Sequence, residues 1–285
     1  MRAAVRLFAV AALAACGGSD DDAPAGGDAA SAADAGGDAP TGPSDIRISQ
    51  RSIDGASIDT GVSAVWWASA PPDPYDVVSQ SGPCVLTEAD QSGCDGLCDG
   101  VCIDGTCEPF PAARSAGRLT VSGGGEAIEI DPVDGVYSFY QGSPRFAAGD
   151  DISLTAAGDE VAAFEVAVSA VPDLVAPGID DLELVPAEDF TVSWQPAEPD
   201  SWVRLRLDSN QHGQFSPTVI ECAVADGAGT ITVPGSMIER FWDSPGTCGE
   251  CPVQLLVRYR RGSATAGGEP VVLEFASAVS FYPYR

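Results

Sequence analysis

Trp202-Val203-Arg204-Leu205-Arg206-Leu207-Asp208 alternates without a break, with apolar side chains at 203, 205 and 207 and charged ones at 204, 206 and 208. A period of two places each set on one side of a strand and would scatter both around a helix. The flanking sequence repeats the signature. Segments 182–185, 190–195, 219–224, 230–233, 253–261 and 271–282 are short β-type runs separated by Gly, Pro and Asp, the punctuation of strands and tight turns. Earlier in the chain, 46–48, 62–67, 118–121, 127–130, 136–140, 151–155 and 161–169 read the same way. Only 236–241 suggests a short helical turn. The expected fold class is all-β, with two β-sandwich domains over 44–172 and 173–285. Val171-Pro172-Asp173, followed by Pro177-Gly178, marks the boundary, because proline cannot donate to a ladder and glycine interrupts one.

Seven strands in about 110 residues is the count of an immunoglobulin-like sandwich, in which the third and sixth strands, here 202–208 and 253–261, are neighbours. Leu182-Glu183-Leu184-Val185 followed by Phe190-Thr191-Val192-Ser193-Trp194-Gln195-Pro196 resembles the opening of fibronectin type III modules. Their second strand carries a core tryptophan, which the resemblance assigns to Trp194. It also implies a module that presents a surface rather than performing chemistry, although a fold does not fix a function. The sequence departs from that family before Val253, where cysteines stand in place of a tyrosine corner.

At the N-terminus, Arg2 and Arg6 precede an apolar run from Leu7 to Ala15, a leader pattern too short for a transmembrane helix of roughly 20 residues. Leu13-Ala14-Ala15-Cys16 resembles the lipobox of bacterial lipoproteins. That resemblance implies a signal peptide over 1–15, cleavage before Cys16, a diacylglycerol on its sulfur and a new amino group open to acylation. More than one acyl chain makes a stable anchor. Gly17, rather than Asp, implies sorting to the outer membrane. Residues 16–43 have no aromatic residue and no aliphatic one larger than Ala, so they read as a lipidated disordered linker reaching on the order of 30 Å.

Forty-two acidic residues face 14 basic ones, all of them arginine, for a net charge of −28, which becomes −30 when Arg2 and Arg6 leave with the leader. A field of that sign repels nucleic acid and anionic lipid surfaces and keeps the chain soluble.

Setting Cys16 aside leaves eight cysteines, an even number in a chain expected to be exported, and this reads as disulfides. Cys84, Cys94, Cys98, Cys102 and Cys107 form one group, within an insert over 84–108, and Cys222, Cys248 and Cys251 form the other. Both groups are odd, so full pairing requires at least one bridge between them. The 94–107 spacing lacks the paired knuckles of a closed zinc site. Cys248-Gly249-Glu250-Cys251 lacks the βαβ setting of a redox pair. No metal or cofactor is expected.

No catalytic residue is assigned. His212 is the only histidine and sits in a polar loop, and no nucleophile elbow, zinc-protease helix or phosphate loop is present. Strand alternation does orient four arginines. With 203, 205 and 207 inward, Arg204 and Arg206 face out; with 253, 255, 257 and 259 inward, Arg258 and Arg260 face out. On neighbouring strands the four would make one patch for an anionic ligand. The preferred competing expectation is a cross-strand ion-pair ladder with Glu221 and Glu274. Trp66 and Trp67 point to opposite faces, so one enters a core and the other either stacks a sugar or lies under the cysteine-rich insert.

The resulting expectation is a membrane-anchored, surface- or periplasm-exposed lipoprotein acting as a non-catalytic binding or structural module. Its partners would be the membrane, through lipid on Cys16, and envelope glycans or another surface protein. The alternative is an exported hydrolase of glycans or cell-envelope polymers working through paired carboxylates.

Overall fold

The computed structural model describes residues 44–53, 57–89, 93–94, 98, 100–209, 218–244 and 254–283. Cys16, His212, Cys248 and Cys251 lie outside the described residues. The first half contributes β1 (Ser44–Ile53), β2 (Ser57–Trp66), β3 (Tyr75–Ser81), β4 (Cys84–Ala89), β5 (Gly100–Ile103), β6 (Thr106–Pro109), β7 (Leu119–Ser122), β8 (Ile128–Ile130), β9 (Val136–Gln141), β10 (Asp151–Ala156) and β11 (Phe164–Ser169). The second contributes β12 (Phe190–Ser193), β13 (Trp202–Asp208), β14 (Thr218–Ala225), β15 (Thr230–Val233), helix α1 (Gly235–Trp242), β16 (Gln254–Ala266) and β17 (Glu269–Phe281). The chain is an all-β sandwich, and no helix among the described residues is long and apolar enough to cross a membrane.

One sheet of nine strands, in the order β3-β4-β14-β13-β16-β17-β1-β2-β9, runs through both halves of the sequence. The two cores on this sheet each draw on both sides of the expected 172/173 boundary: Ala266, Val271, Leu273 and Phe275 join the first, and Cys84 and Leu86 the second. β1 lies parallel to β17, with Ile46 opposite Leu273 and Ile48 opposite Phe275. Parallel neighbours need a long connection, and here almost the whole chain supplies it. Within the second half, β13 pairs with β16 as the immunoglobulin-like layout requires.

Parity along β17 shows how the layers stack. Leu273 and Phe275 belong to the first core and Phe281 to the second; all three are odd-numbered, so both cores lie on one face of the long sheet. A four-stranded sheet, β11-β10-β7-β8, closes the first core, and the pair β12-β15 with α1 closes the second. In the first core Trp66 meets Tyr137 edge to face at 5.5 Å. The Tyr137 hydroxyl accepts from the Ala116 amide and donates to the Gly117 carbonyl, so this buried ring leaves no polar atom unpaired.

Where β11 crosses β16, a Cβ at Gly262 would collide with the carbonyl oxygen of Ala167. Gly262→Ala must push the two layers apart, and overpacking of this kind costs about 1–3 kcal/mol. Its urea midpoint should fall accordingly, with the slope of the transition unchanged.

Two expectations need correction. Residues 182–185 do not form a strand: Leu184 packs into the second core, but Pro186 and Ala187, at φ 63°, turn the chain at once. The region 84–108 is not wholly an insert, since Cys84–Ala89 is the strand β4, which completes the second core with Cys84 and Leu86. The described residues of 67–113 thus form an arm. Its stem is closed where the Ala68 amide donates to the Ala112 carbonyl and the Arg114 amide to the Trp66 carbonyl. Its hairpin β3-β4 docks on β14 at the far edge of the sheet.

Three disulfides hold the described cysteines. Cys84 faces Cys222 in the β4-β14 register and is bonded to it, a bridge between the two cysteine groups of the kind their odd counts demand. Cys94–Cys102 and Cys98–Cys107 tie the hairpin β5-β6 to the chain before it. Asp104 and Gly105, at φ 49° and 73°, form its two-residue turn, where both positions need the left-handed region that this dipeptide favours. Trp66 is in the core, and Trp67 stacks on Phe110 just beyond β6, so the second tryptophan is covered from the insert side.

Candidate functional site

The four arginines expected on one face lie on two. In the register of β13 and β16, Val203 stands opposite Arg258 and Arg204 opposite Val257. Arg204 and Arg206 are on the outer face of the long sheet, while Arg258 and Arg260 point inward. A one-residue difference in register reverses every side chain of a strand. Here both choices bury apolar groups: Leu256 joins the second core, while Val257, Tyr259, Ala276 and Ala278 form a separate buried cluster on the outer face. Alternation alone could not select between them.

Inward, Arg258 is completely buried. Its Nε and Nη2 donate to Asp226 Oδ1 at 3.1 and 3.0 Å, Nη1 to the Pro172 and Asp173 carbonyls at 3.2 and 2.7 Å, and Nη2 also to the Gln195 carbonyl at 2.6 Å. Asp226 in turn accepts from Trp194 Nε1 and from the Ala197 and Glu198 amides. Burial by itself would raise the Asp226 carboxyl, but those two amides and Arg258 outweigh it and hold the group below the ordinary carboxylate value. The guanidinium fork thus fastens the interdomain segment, the chain after Trp194 and β16 to one carboxylate. Arg260 pairs with Glu198 at 3.1 Å on the same side.

On the outer face, Glu274 of β17 receives Arg204 at 2.9 Å, Arg261 at 2.9 Å and Arg47 at 3.4 Å. Burial pushes the Glu274 carboxyl up, and the three guanidinium groups pull it below its usual value. Arg204 and Arg261 both lie over the Tyr259 ring, 4.8 and 5.0 Å from its centre, in cation–π contact. Asp45, beside them, is raised by burial despite Arg47. Arg206 bonds to Asp208, two residues along its own strand, at 2.8 Å. Burial also raises the Tyr75 hydroxyl next to Arg206 and Asp208. The ladder expectation is met at Glu274, whereas Arg206 turns to Asp208 rather than to Glu221.

Sequence reasoning missed Asp226, Asp208, Arg47 and Arg261. Asp208 carried a usable signal, since residues two apart on a strand share a face. Asp226 carried none, because Arg258 meets it only through tertiary packing. Six cysteines are consumed in disulfides. Among the described residues no group of three or more His, Cys, Asp or Glu side chains converges on a metal-sized site.

Comparison with known proteins adds no family. No family model matches the chain, and no curated protein matches it. Solved structures similar to it include the chicken CNTN1 FN1–FN3 domains, at 8% identity and TM-score 0.18 over 76% of this chain and 77% of that one. A two-domain fibronectin type III segment of chicken tenascin matches at 13% identity and TM-score 0.16, over 74% and 98%. Dimeric latent PorU from Porphyromonas gingivalis matches at 10% identity and TM-score 0.18, over 79% of this chain and 24% of its own. Scores this low carry no inference, and the sandwich rests on its own sheet order and cores.

Proposed function

We propose that the chain is a lipid-anchored, surface- or periplasm-exposed bacterial lipoprotein whose body is a non-catalytic binding or structural module. The observation that carries this reading is the use made of the buried ionisable groups. Arg258 with Asp226, and Arg204 with Glu274, join segments 32 and 70 residues apart. These groups serve as fasteners of a rigid scaffold, the opposite of a carboxylate pair left poised for acid–base work. The leader, the lipobox-like Leu13-Ala14-Ala15-Cys16 and the linker to Ser44 support display at a membrane, with the outer membrane as the destination.

Cys16→Ser removes the sulfur that would carry the diacylglycerol. In fractionated cells the wild-type chain should sediment with membranes and resist extraction by high salt. The variant should be recovered in the soluble or uncleaved precursor fraction. Unchanged, salt-resistant membrane association of the variant would contradict the anchor.

A further inference from the structure

Ser44, the first residue of β1, stands opposite Trp66 at the end of β2, so the linker expected over 16–43 joins the body beside that tryptophan. Four exposed large apolar side chains gather at this end of the long sheet: Phe110, Val133, Val136 and Val272, at 49, 73, 36 and 39% exposure. Trp67 stacks on Phe110 at 5.9 Å and bridges to Ala113. The tight turn 133–136 lies against the same Ala113, whose carbonyl and methyl a Cβ at Gly135 would meet at 2.8 Å. Val136 pairs with Val65, and Trp67 follows two residues on, so their side chains share the outer face of the sheet. Val272 belongs to that face as well, one residue before Leu273, which is the partner of Ile46 in β1.

We infer that this apolar end docks on the surface of a lipid bilayer at headgroup depth, laying the body against the membrane that carries its anchor. The inference rests on the proposed lipid anchor and adds a second contact with the same partner. Where the linker enters decides the occupant. A linker with a reach on the order of 30 Å keeps its root, and the apolar residues around that root, within reach of the bilayer. A short flexible connection of this kind sets an effective concentration of about millimolar, so a contact too weak to form between separate partners forms once the chain is anchored. Aromatic rings favour the membrane–water interface, and the three valines add apolar area to be removed from water. Glu108 flanks the rings and Asp134 sits at the tip of the turn. These carboxylates keep the contact at headgroup depth, and with the net charge of −28 they favour a zwitterionic surface over an anionic one. Four partly exposed side chains do not hold the chain by themselves, so Cys16→Ser is still expected to leave the membrane.

The test is quenching of tryptophan fluorescence in phosphatidylcholine vesicles reconstituted with the full-length chain purified from membranes. Vesicles whose lipid is brominated high on the acyl chains are compared with the same vesicles lacking bromine, and flotation reports the anchor. The brominated lipid should quench the wild type, and Trp67→Phe should lose most of that quenching. Phe110→Asp with Val133→Asp should lose most of it too, while still floating with the vesicles. Urea midpoints close to wild type certify that these exposed substitutions leave the body folded. A floating wild type that is not quenched, whether the face stays in water or is covered by a second copy, would overturn the docking, as would a double variant quenched as strongly as the wild type. A wild type that does not float loses the anchor, and the docking with it, so the two failures are told apart.

Discussion

Arg258→Met should destabilise the chain by about 3–5 kcal/mol, the range seen when one partner of a buried ion pair is removed. Globular domains hold only about 5–15 kcal/mol in all, so the variant should sit near its unfolding midpoint in water. The size of the effect follows from what methionine leaves behind. Asp226, fully buried, loses its guanidinium partner, and the carbonyls of Pro172, Asp173 and Gln195 lose the donors that Arg258 supplied. Neutralising the acid as well, in Asp226→Asn with Arg258→Met, removes the stranded charge but not the stranded carbonyls, and should recover only part of the loss. Arg258→Lys keeps the charge but has no planar fork to serve four acceptors, and should also be destabilised. Urea titration followed by tryptophan fluorescence measures all three, since Trp194 donates to Asp226.

Acid should act on the same groups. Asp226 and Glu274 have folded-state pKa values below their ordinary 3.8 and 4.5. Their ionised forms therefore stabilise the fold above those ordinary values, and the contribution disappears as pH falls through the lowered ones. The wild-type midpoint should be nearly flat between pH 5 and 7 on this account and fall steeply below about pH 4. Asp45 works in the opposite direction, because its raised carboxyl is relieved by protonation, and it should soften the fall slightly.

Replacing both Cys84 and Cys222 by alanine should cost the next largest amount. The bridge joins positions 138 apart in sequence. Constraining a loop of that length in the unfolded chain contributes about 5 kcal/mol in the chain-entropy description, where measured bridges more often give about 2–4. Cys94–Cys102 and Cys98–Cys107 span only 8 and 9 positions, for which the same relation gives about 2.5 kcal/mol each. The ranking is also topological. Cys84–Cys222 pins the arm's hairpin to the β14 edge, where Leu86 fills the second core; the other two act within the insert. Urea midpoints of the three paired alanine variants should show the 84/222 pair most affected. Equal losses for all three would contradict the role given to the arm.

Alternation made most strands legible. In 202–208, 219–224 and 151–155 one face is apolar and the other polar, so type and orientation follow together. The method fails where that asymmetry is missing. Gln254-Leu255-Leu256-Val257-Arg258-Tyr259 is apolar on both sides, and only pairing with β13 shows that Arg258 goes inward. The shared sheet was equally hidden. β1 meets β17 through a parallel pairing between opposite ends of the chain, and no local pattern encodes a contact at that separation. Cysteine parity was the exception among long-range signals, because an odd split in two groups requires a crossing whatever the fold. β4 escaped notice because its Cys84 and Leu86 read as part of a cysteine-rich loop.

The proposed anchor rests on Cys16, the one cysteine expected to stand outside the disulfides. Intact-mass and fragmentation analysis of the unreduced mature chain, purified from membranes, tests it most directly. The expected result is an N-terminal Cys16 carrying a diacylglycerol, with residues 1–15 gone. A chain whose Cys16 is unmodified, or joined in a disulfide to another cysteine, would contradict it.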